Sequence, residues 1–325
     1  MTHQNRKNNL TPAGNVPPTV IITGPTAAGK TDLSLELARY FQAPIISADS
    51  RQCYKYLNIG TAKVPETVRK EIPHYHVSTL YPDQSFTAAD FASCAKDWRR
   101  EIRQLRVPVL VVGGSTLYIE SLIRPLDPLP PKSDTNIREL SAIAESEGLE
   151  AIHCKLMDVD PEYARRLDGL NPHRMYRALD VWMQTGKPFS SFHKNRPVSL
   201  TDNTLLICLY RDRNELHQRI NQRVDLMLRD GLLEEVKHIL GMGYTEDMQS
   251  LQTVGYRESM AHIHGSLNYD GMQEKIKTNT RRYARRQMTW FRRWSGAKWI
   301  NLSDQSTEKI LADLILRIEQ LAAEH

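Results

Sequence analysis

No stretch of about 18 consecutive apolar residues occurs in the 325-residue sequence, which excludes a hydrophobic membrane-spanning helix. The first eighteen residues, through Pro18, lack the apolar run of a secretion signal and are expected to form a loose tail. Cysteine is scarce. Cys53, Cys94, Cys154 and Cys208 are far apart, with no close pair and no Cys/His grouping at metal-ligand spacing. That argues against a zinc site or a disulfide framework and fits a reducing cytosol. Acid is missing from one segment: from Lys275 to Arg293 lie eight of the 43 basic residues and none of the 38 acidic ones. The rest carries 35 basic against 38 acidic residues, so this short segment holds more than the whole excess of +5. Such clustering points to a polyanionic partner. No internal repeat or low-complexity segment is evident.

What is present begins as alternating strands and helices. Thr19–Thr23 is a short β-prone run, followed by a glycine-rich turn and a helical pattern from Asp32 to Tyr40. Ala43–Ala48 reads as a second strand, Phe86–Leu105 as a helix opened by a Thr87 cap, and Val107–Val112 as an unalternating apolar strand. Strands of that kind, separated by helices, predict an α/β fold with a parallel sheet covered on both faces. The proline-dense stretch Pro125–Pro131 breaks the rhythm, and Thr135 to Phe192 reads as helical with no strand. Leu205–Tyr210 resumes as a strand, followed by amphipathic helices over Asn214–Leu228 and Leu232–Leu240. The expected organisation is a tail over residues 1–18, a phosphate-loop core over 19–126 and 203–325, and an all-helical insertion domain over 127–202.

Gly24-Pro25-Thr26-Ala27-Ala28-Gly29-Lys30-Thr31 fits the phosphate-loop pattern without a gap, between a strand and a helix. Its glycines let successive backbone N–H groups face one anion, and the helix N-terminus adds a positive dipole end. Lys30 suits outer phosphate oxygens and the Thr31 hydroxyl suits Mg²⁺. Nucleotide-hydrolysing enzymes end the strand corresponding to Val107–Val112 in an acid that positions Mg²⁺. Here that strand ends in Gly113-Gly114-Ser115-Thr116, and no guanine-reading Asn-Lys-x-Asp motif occurs. Asp49 falls at the carboxyl end of the second strand, where ligands bind in parallel sheets, and from position alone serves either as a turn residue or as a proton acceptor. Arg219 and Arg223 lie one turn apart, and periodicity alone reads them as a solvated stripe. In the basic segment, Tyr283, Gln287, Trp290 and Trp294 form a stripe that reads as core packing, whereas the arginines, with no acids interleaved, read as phosphate contacts.

Seven motifs in order, Gly24–Thr31, Asp49–Tyr54, Ile59–Lys63, Gly113–Tyr118, His173–Arg177, Val254–Arg257 and Arg285–Arg292, resemble the bacterial tRNA dimethylallyltransferase family from about Val20 to Trp299. Ser115 stands where the family has threonine, and Arg51 where an uncharged residue is common. The resemblance implies a helical insertion in a phosphate-loop core. It also implies a reaction in which N6 of the adenosine next to the anticodon, on its 3′ side (adenosine 37), attacks C1 of dimethylallyl diphosphate. By the same resemblance Asp49 orients N6 and accepts its proton, while the loop amides, Lys30, Thr31 with Mg²⁺, and Arg223 take the charge of departing pyrophosphate. Ser115 is expected near the reacting centre. Grip on the anticodon stem-loop falls to Asp49-Ser50-Arg51-Gln52, Ser115, Arg138, His173-Arg174-Met175-Tyr176-Arg177, Val254-Gly255-Tyr256-Arg257 and Arg285-Arg286-Gln287-Met288-Thr289-Trp290-Phe291-Arg292. The implied protein is a cytoplasmic monomer with no membrane attachment. A small-molecule or nucleotide kinase on the same core is the alternative reading, and an RNA-binding nucleotide switch a third.

Overall fold

The computed structural model describes residues 16–124, 126–192, 200 and 203–324. Most of the tail expected over 1–18, and residues 193–199, 201 and 202 of the expected insertion, lie outside the described residues. The chain alternates β1 (Thr19–Thr23), α1 (Lys30–Phe41), β2 (Ile45–Ser47), α2 (Glu66–Glu71), β3 (His74–Tyr75), α3 (Ala88–Gln104), β4 (Val109–Val112) and α4 (Thr116–Ile123). Four helices follow: α5 (Asp134–Glu147), α6 (Leu149–Val159), α7 (Pro161–Arg166) and α8 (Pro172–Thr185). The chain then runs through β5 (Thr204–Tyr210), α9 (Arg213–Arg229), α10 (Leu232–Gly241), α11 (Tyr256–Ile263), α12 (Tyr269–Phe291), β6 (Lys298–Asn301) and α13 (Thr307–Glu324). Contacts divide it into two compact units, Met1–Arg124 with Val198–His325, and Pro125–Pro197.

The first unit holds one all-parallel sheet of six strands in the order β3-β2-β4-β1-β5-β6. Its central strands are buried on both faces, which explains why they read as unbroken apolar runs. Leu33, Leu37 and Phe41 of α1, Phe91, Ala95 and Ile102 of α3, and Ile310, Leu314 and Ile318 of α13 close the core around it. A second core in the same unit gathers Val224, Leu232, Val236, Tyr256, Met272 and Ile276 from α9 to α12. The Pro125–Pro197 unit has its own core of Leu140, Ile152, Leu156, Met175, Leu179 and Phe189.

The strands differ from the sequence reading at their starts. β2 begins at Ile45, not Ala43, and β4 at Val109, not Val107. In both cases a proline, Pro44 or Pro108, stands immediately before and cannot donate to a ladder. β3 and β6 were not expected. A two-residue strand carries no periodicity, and β6 pairs only along β5 at the sheet edge. The cap at Thr87 is present as a full capping box: its hydroxyl accepts from Asp90 N while Asp90 Oδ2 accepts from Thr87 N.

The register brings three loops to one edge. Ile22 pairs with Val112, and Val112 with Ser47, so the turns after β1, β4 and β2 leave the sheet side by side. Gly113 N donates to Ile22 O at 3.1 Å, Ala48 N to Val112 O at 2.7 Å, and Ser115 N to Ala48 O at 3.1 Å. A Cβ on Gly113 would stand 2.0 Å from Ala48 O. Gly113→Ala is expected to destabilise the fold by at least about 1–3 kcal/mol, the overpacking range, because the obstacle is backbone. Urea denaturation of the two proteins measures the difference.

Candidate active site

The turn after β1 wraps a cavity of about 280 Å³ lined by Ala27, Gly29, Lys30, Thr31 and Asp32, and by Arg219, Gln222, Arg223 and Leu226 of α9. The loop's outer carbonyls are tied back: Arg219 Nε donates to Ala27 O and Arg211 Nε to Ala28 O, both at 3.0 Å. Among the described residues the amides of Ala27 and Gly29 have no intramolecular acceptor. Lys30 Nζ donates to Gly24 O at 2.9 Å and Pro25 O at 2.8 Å, which leaves one of its three N–H groups for a ligand. Arg219 and Arg223 are not a solvated stripe; the side of α9 next to its apolar row, Leu216, Ile220 and Val224, lines the cavity. Sequence reasoning missed Asp32, Gln222 and Leu226. Asp32 directly follows the Lys-Thr pair, a position that could have drawn attention.

Not every loop amide is free for a phosphate, as the bare pattern suggested. Thr26 N donates to Gln287 Oε1 at 2.9 Å, and Gln287 Nε2 donates to Gly114 O at 2.8 Å. One buried amide on α12 therefore joins the turns after β1 and β4. The hydroxyl of Ser115 makes no hydrogen bond among the described residues, nor does that of Thr116.

Asp49 follows β2 on the same edge. Its Oδ1 accepts from Arg51 N at 2.8 Å and Gln52 N at 3.2 Å, closing the turn, while Oδ2 has no partner among the described residues. The turn reading therefore accounts for one oxygen, and the other is left without a partner among the described residues. Burial and then the Arg223 charge pull the Lys30 ammonium down to about 8, and the Asp49 carboxylate opposes them. Burial likewise lowers the Arg223 guanidinium, again against Asp49. The carboxylate and the two cations thus share one field at the carboxyl edge.

The residues expected to grip nucleic acid divide sharply. Ser50, Arg51 and Gln52 flank Asp49 half-exposed, with Arg51 Nη1 donating to Ser50 O at 3.3 Å. Arg138, His173, Arg174, Arg257, Arg285, Arg286, Thr289 and Arg292 are exposed. Met175, Tyr256 and Phe291 are 0% exposed and serve cores, which removes their side chains from any RNA-facing surface. Gly255 is buried too, and Val254 packs against the second core. Arg177 is committed within its own unit, donating to Asp180 Oδ2 at 2.8 Å and to Pro130 O. Tyr176 is half-buried against the same core, and Met288 is half-buried on α12. The stripe along α12 and just past its end is mixed: Trp294 and Gln287 are buried, Trp290 Nε1 donates to Glu120 Oε2 at 2.7 Å, and Tyr283 is exposed. Two cations of the basic segment are already partnered, Lys277 with Asp225 at 2.7 Å and Arg281 with Asn221 at 2.6 Å. One acid absent from the segment, Asp225, comes from the neighbouring helix α9, and Asn221 of the same helix is a neutral acceptor.

The Lys30 proton gives a pH test. Below about 8 the ammonium is charged and available to an anion; above it the charge is lost. Affinity for inorganic pyrophosphate, measured by calorimetry, is expected to weaken as pH rises from 7 to 10, by about 1.5–3 kcal/mol in all, the range of one charge-assisted bond. A bound anion holds the proton more tightly and moves the midpoint upward. Folding stability from this group runs the other way. Its folded value lies below the ordinary 10.5, so the unfolded chain binds the proton better and stability rises with pH between the two.

A model of the family described as IPP transferase matches residues 52–294, a span that takes in Gln52 to Trp294 but begins after Asp49 and the phosphate loop. The tRNA dimethylallyltransferase of Clostridioides difficile (strain 630) is 41% identical over 304 residues, 93% of this chain and 97% of the relative. That of Salinibacter ruber (strain DSM 13855 / M31) is 41% identical over 295 residues, 90% and 91% of the two chains. Among solved structures, the full-length tRNA isopentenylpyrophosphate transferase from Bacillus halodurans superposes with a TM-score of 0.69 at 33% identity, covering 94% of this chain and 96% of its own. A eukaryotic dimethylallyltransferase acting on tRNA superposes with a TM-score of 0.74 at 25% identity, covering 93% and 80%. With three quarters of its length matched by the family model and relatives above 40% identity across nearly all of it, the chain belongs to the IPP transferase family.

Proposed function

We propose that this protein transfers a dimethylallyl group from dimethylallyl diphosphate to the exocyclic N6 of adenosine 37 in tRNA and releases pyrophosphate. It acts in the cytoplasm, as a monomer. The observation that carries the reading is the pairing of a phosphate cradle with a carboxylate oxygen left free beside it. Asp49 keeps Oδ2 unused while its charge reaches both Lys30 and Arg223. A base that serves a nucleophile and cations that serve a leaving group are what an alkyl transfer from a diphosphate needs.

In the reaction N6 attacks C1 of the donor as the C1–O bond breaks, and the bonding pair leaves on pyrophosphate. An aromatic amine is a weak nucleophile until its proton is drawn off, and Asp49 Oδ2 accepts that proton. Negative charge gathers on the departing oxygens, where the Ala27 and Gly29 amides, the third N–H of Lys30 and the Arg223 guanidinium stabilise it. Ser115 and Thr116 offer free hydroxyls from the neighbouring turn, and Gln287 holds that turn at a set distance from the loop. Mg²⁺ fits this donor set: Thr31 and Asp32, which carry a hydroxyl and a carboxylate, both line the cavity. Such a hard-oxygen site takes its remaining ligands from substrate phosphates and water. When bound, the ion would neutralise part of the diphosphate charge.

The RNA is gripped by exposed side chains, Arg285 and Arg286 on α12 and Arg292 just past its end, Arg257 on α11, and Arg138, His173 and Arg174 in the Pro125–Pro197 unit. The adenine must be extruded from its stack for N6 to reach Asp49. A kinase on this core finds no support. β4 ends in two glycines and two unpartnered hydroxyls instead of an acid, and the relatives are named as transferases.

The test is paired: unmodified tRNA is incubated with Mg²⁺ and either labelled dimethylallyl diphosphate or labelled ATP, and its nucleosides are analysed. Label entering adenosine from the prenyl donor supports the reading. Transfer from ATP alone would overturn it. Asp49→Ala is expected to lower turnover by about 10²–10⁴-fold with tRNA affinity little changed. Equal loss of affinity with normal turnover at saturation would recast Asp49 as a recognition group. Replacing Arg285 and Arg286 with Gln should reduce the slope of log affinity against log salt by roughly 1–2. A slope that stays the same removes these arginines from the interface.

A further inference from the structure

The Ile59–Lys63 motif has no part in the chemistry above, yet it lies in a dense hydrogen-bond arrangement. Its start is held by one carboxylate on α10. Glu235 Oε2 accepts from Asn58 N at 3.0 Å and Ile59 N at 2.8 Å, and Oε1 accepts from Gly60 N at 3.2 Å. Oε1 also accepts from the hydroxyl of fully buried Tyr256 at 2.6 Å, and the loop lies so close to that ring that a Cβ on Gly60 would stand 2.4 Å from it. Three consecutive backbone donors on one carboxylate is an arrangement that no neutral side chain reproduces, because an amide offers one acceptor oxygen where a carboxylate offers two.

The far end of the same loop holds a residue beside the proposed base. Gln52 Nε2 donates to Thr61 O at 3.1 Å and to Ala62 O at 3.4 Å. Carbonyls only accept, so they dictate that the amide nitrogen faces the loop and the oxygen faces away. Gln52 Oε1 has no partner among the described residues. Gln52 N in turn donates to Asp49 Oδ1. The path runs from a helix of the second core, through five residues of backbone, to the side chain next to Asp49.

We propose that Glu235 is a positioning residue. By fixing the loop over 58–62 it orients the Gln52 amide so that it presents an acceptor, and not a donor, to an N–H group on a base of the bound RNA. This rests on the tRNA-modifying reading of the site. Its consequence is that Glu235, which does not line the cavity, sets how well RNA is recognised and leaves the diphosphate site alone.

The test is a double-mutant cycle on the full chain with tRNA and dimethylallyl diphosphate. Glu235→Gln is expected to raise the KM for tRNA by about tenfold with kcat within about twofold, the signature of lost substrate binding. Pyrophosphate binding in Mg²⁺ should match wild type. Gln52→Ala should raise KM similarly, and the double variant should be no worse than Gln52→Ala alone, since residues acting through one another are not additive. Full additivity, or a wild-type KM in Glu235→Gln, would overturn the proposal. A loss of pyrophosphate binding would also overturn it, by showing general damage. Should Glu235→Gln fail to fold, Tyr256→Phe, which removes one donor and keeps the ring, must move KM in the same direction by a smaller factor, and no change there overturns the proposal. A wild-type protein that leaves tRNA unmodified would sink the functional reading instead, a result separable from all of these.

Discussion

Everything at the carboxyl edge depends on backbones packed closer than side chains allow. The carbonyl of Ala48 occupies the space where a Cβ of Gly113 would be, and the carbonyl of Leu209 stands 2.2 Å from where a Cβ of Gly24 would lie. These contacts let the turns after β1, β2 and β4 leave a single sheet within hydrogen-bond reach of one another. A phosphate loop, a free carboxylate oxygen and two free hydroxyls can then stand on one edge of the sheet. Side chains perform the chemistry, but their convergence is a property of the backbone and of the two glycines that permit it.

The second requirement is that these turns keep their separation when substrates of high charge arrive. Separate residues do this, each from outside the turn it braces. Gln287 spans the loop and Gly114, Arg219 and Arg211 hold the loop's carbonyls, and Glu235 secures the segment that orients Gln52. All four come from α9, α10, α12 or the turn before α9, elements that follow the insertion in sequence. The first third of the chain thus supplies most of the reactive groups, and the last third supplies the supports.

How much of this was legible depended on the range of the signal. The phosphate loop, β1, β5 and the Thr87 cap are local patterns, and they stand where the residues indicated. The parallel sheet followed from unalternating apolar runs, which encode burial on both faces. β3 and β6 left no such trace, being too short or confined to an edge. Site residues brought by distant segments were harder. Nothing in the spacing of Tyr283, Gln287, Trp290 and Trp294 separates a core glutamine from one that reaches two loops 173 and 261 residues away. Nor does periodicity say that Met175, Tyr256 and Phe291, inside motifs that read as RNA contacts, are interior side chains. Motif membership marks a segment as functional; burial decides which of its atoms face outward.

The strand order carries a consequence for synthesis. β1 lies between β4 and β5, and its first neighbour is complete at Val112 while its second begins at Thr204. As the chain leaves the ribosome, one long edge of the most buried strand therefore waits, unpaired, through the making of more than ninety residues. Open edges of apolar strands recruit other chains. The intervening Pro125–Pro197 unit has a core of its own, so it can collapse during that interval without borrowing surface from the unfinished sheet. The nascent chain thus meets its greatest hazard of aggregation in the interval between the two neighbours of its first strand, and the self-sufficiency of what is made in that interval limits it.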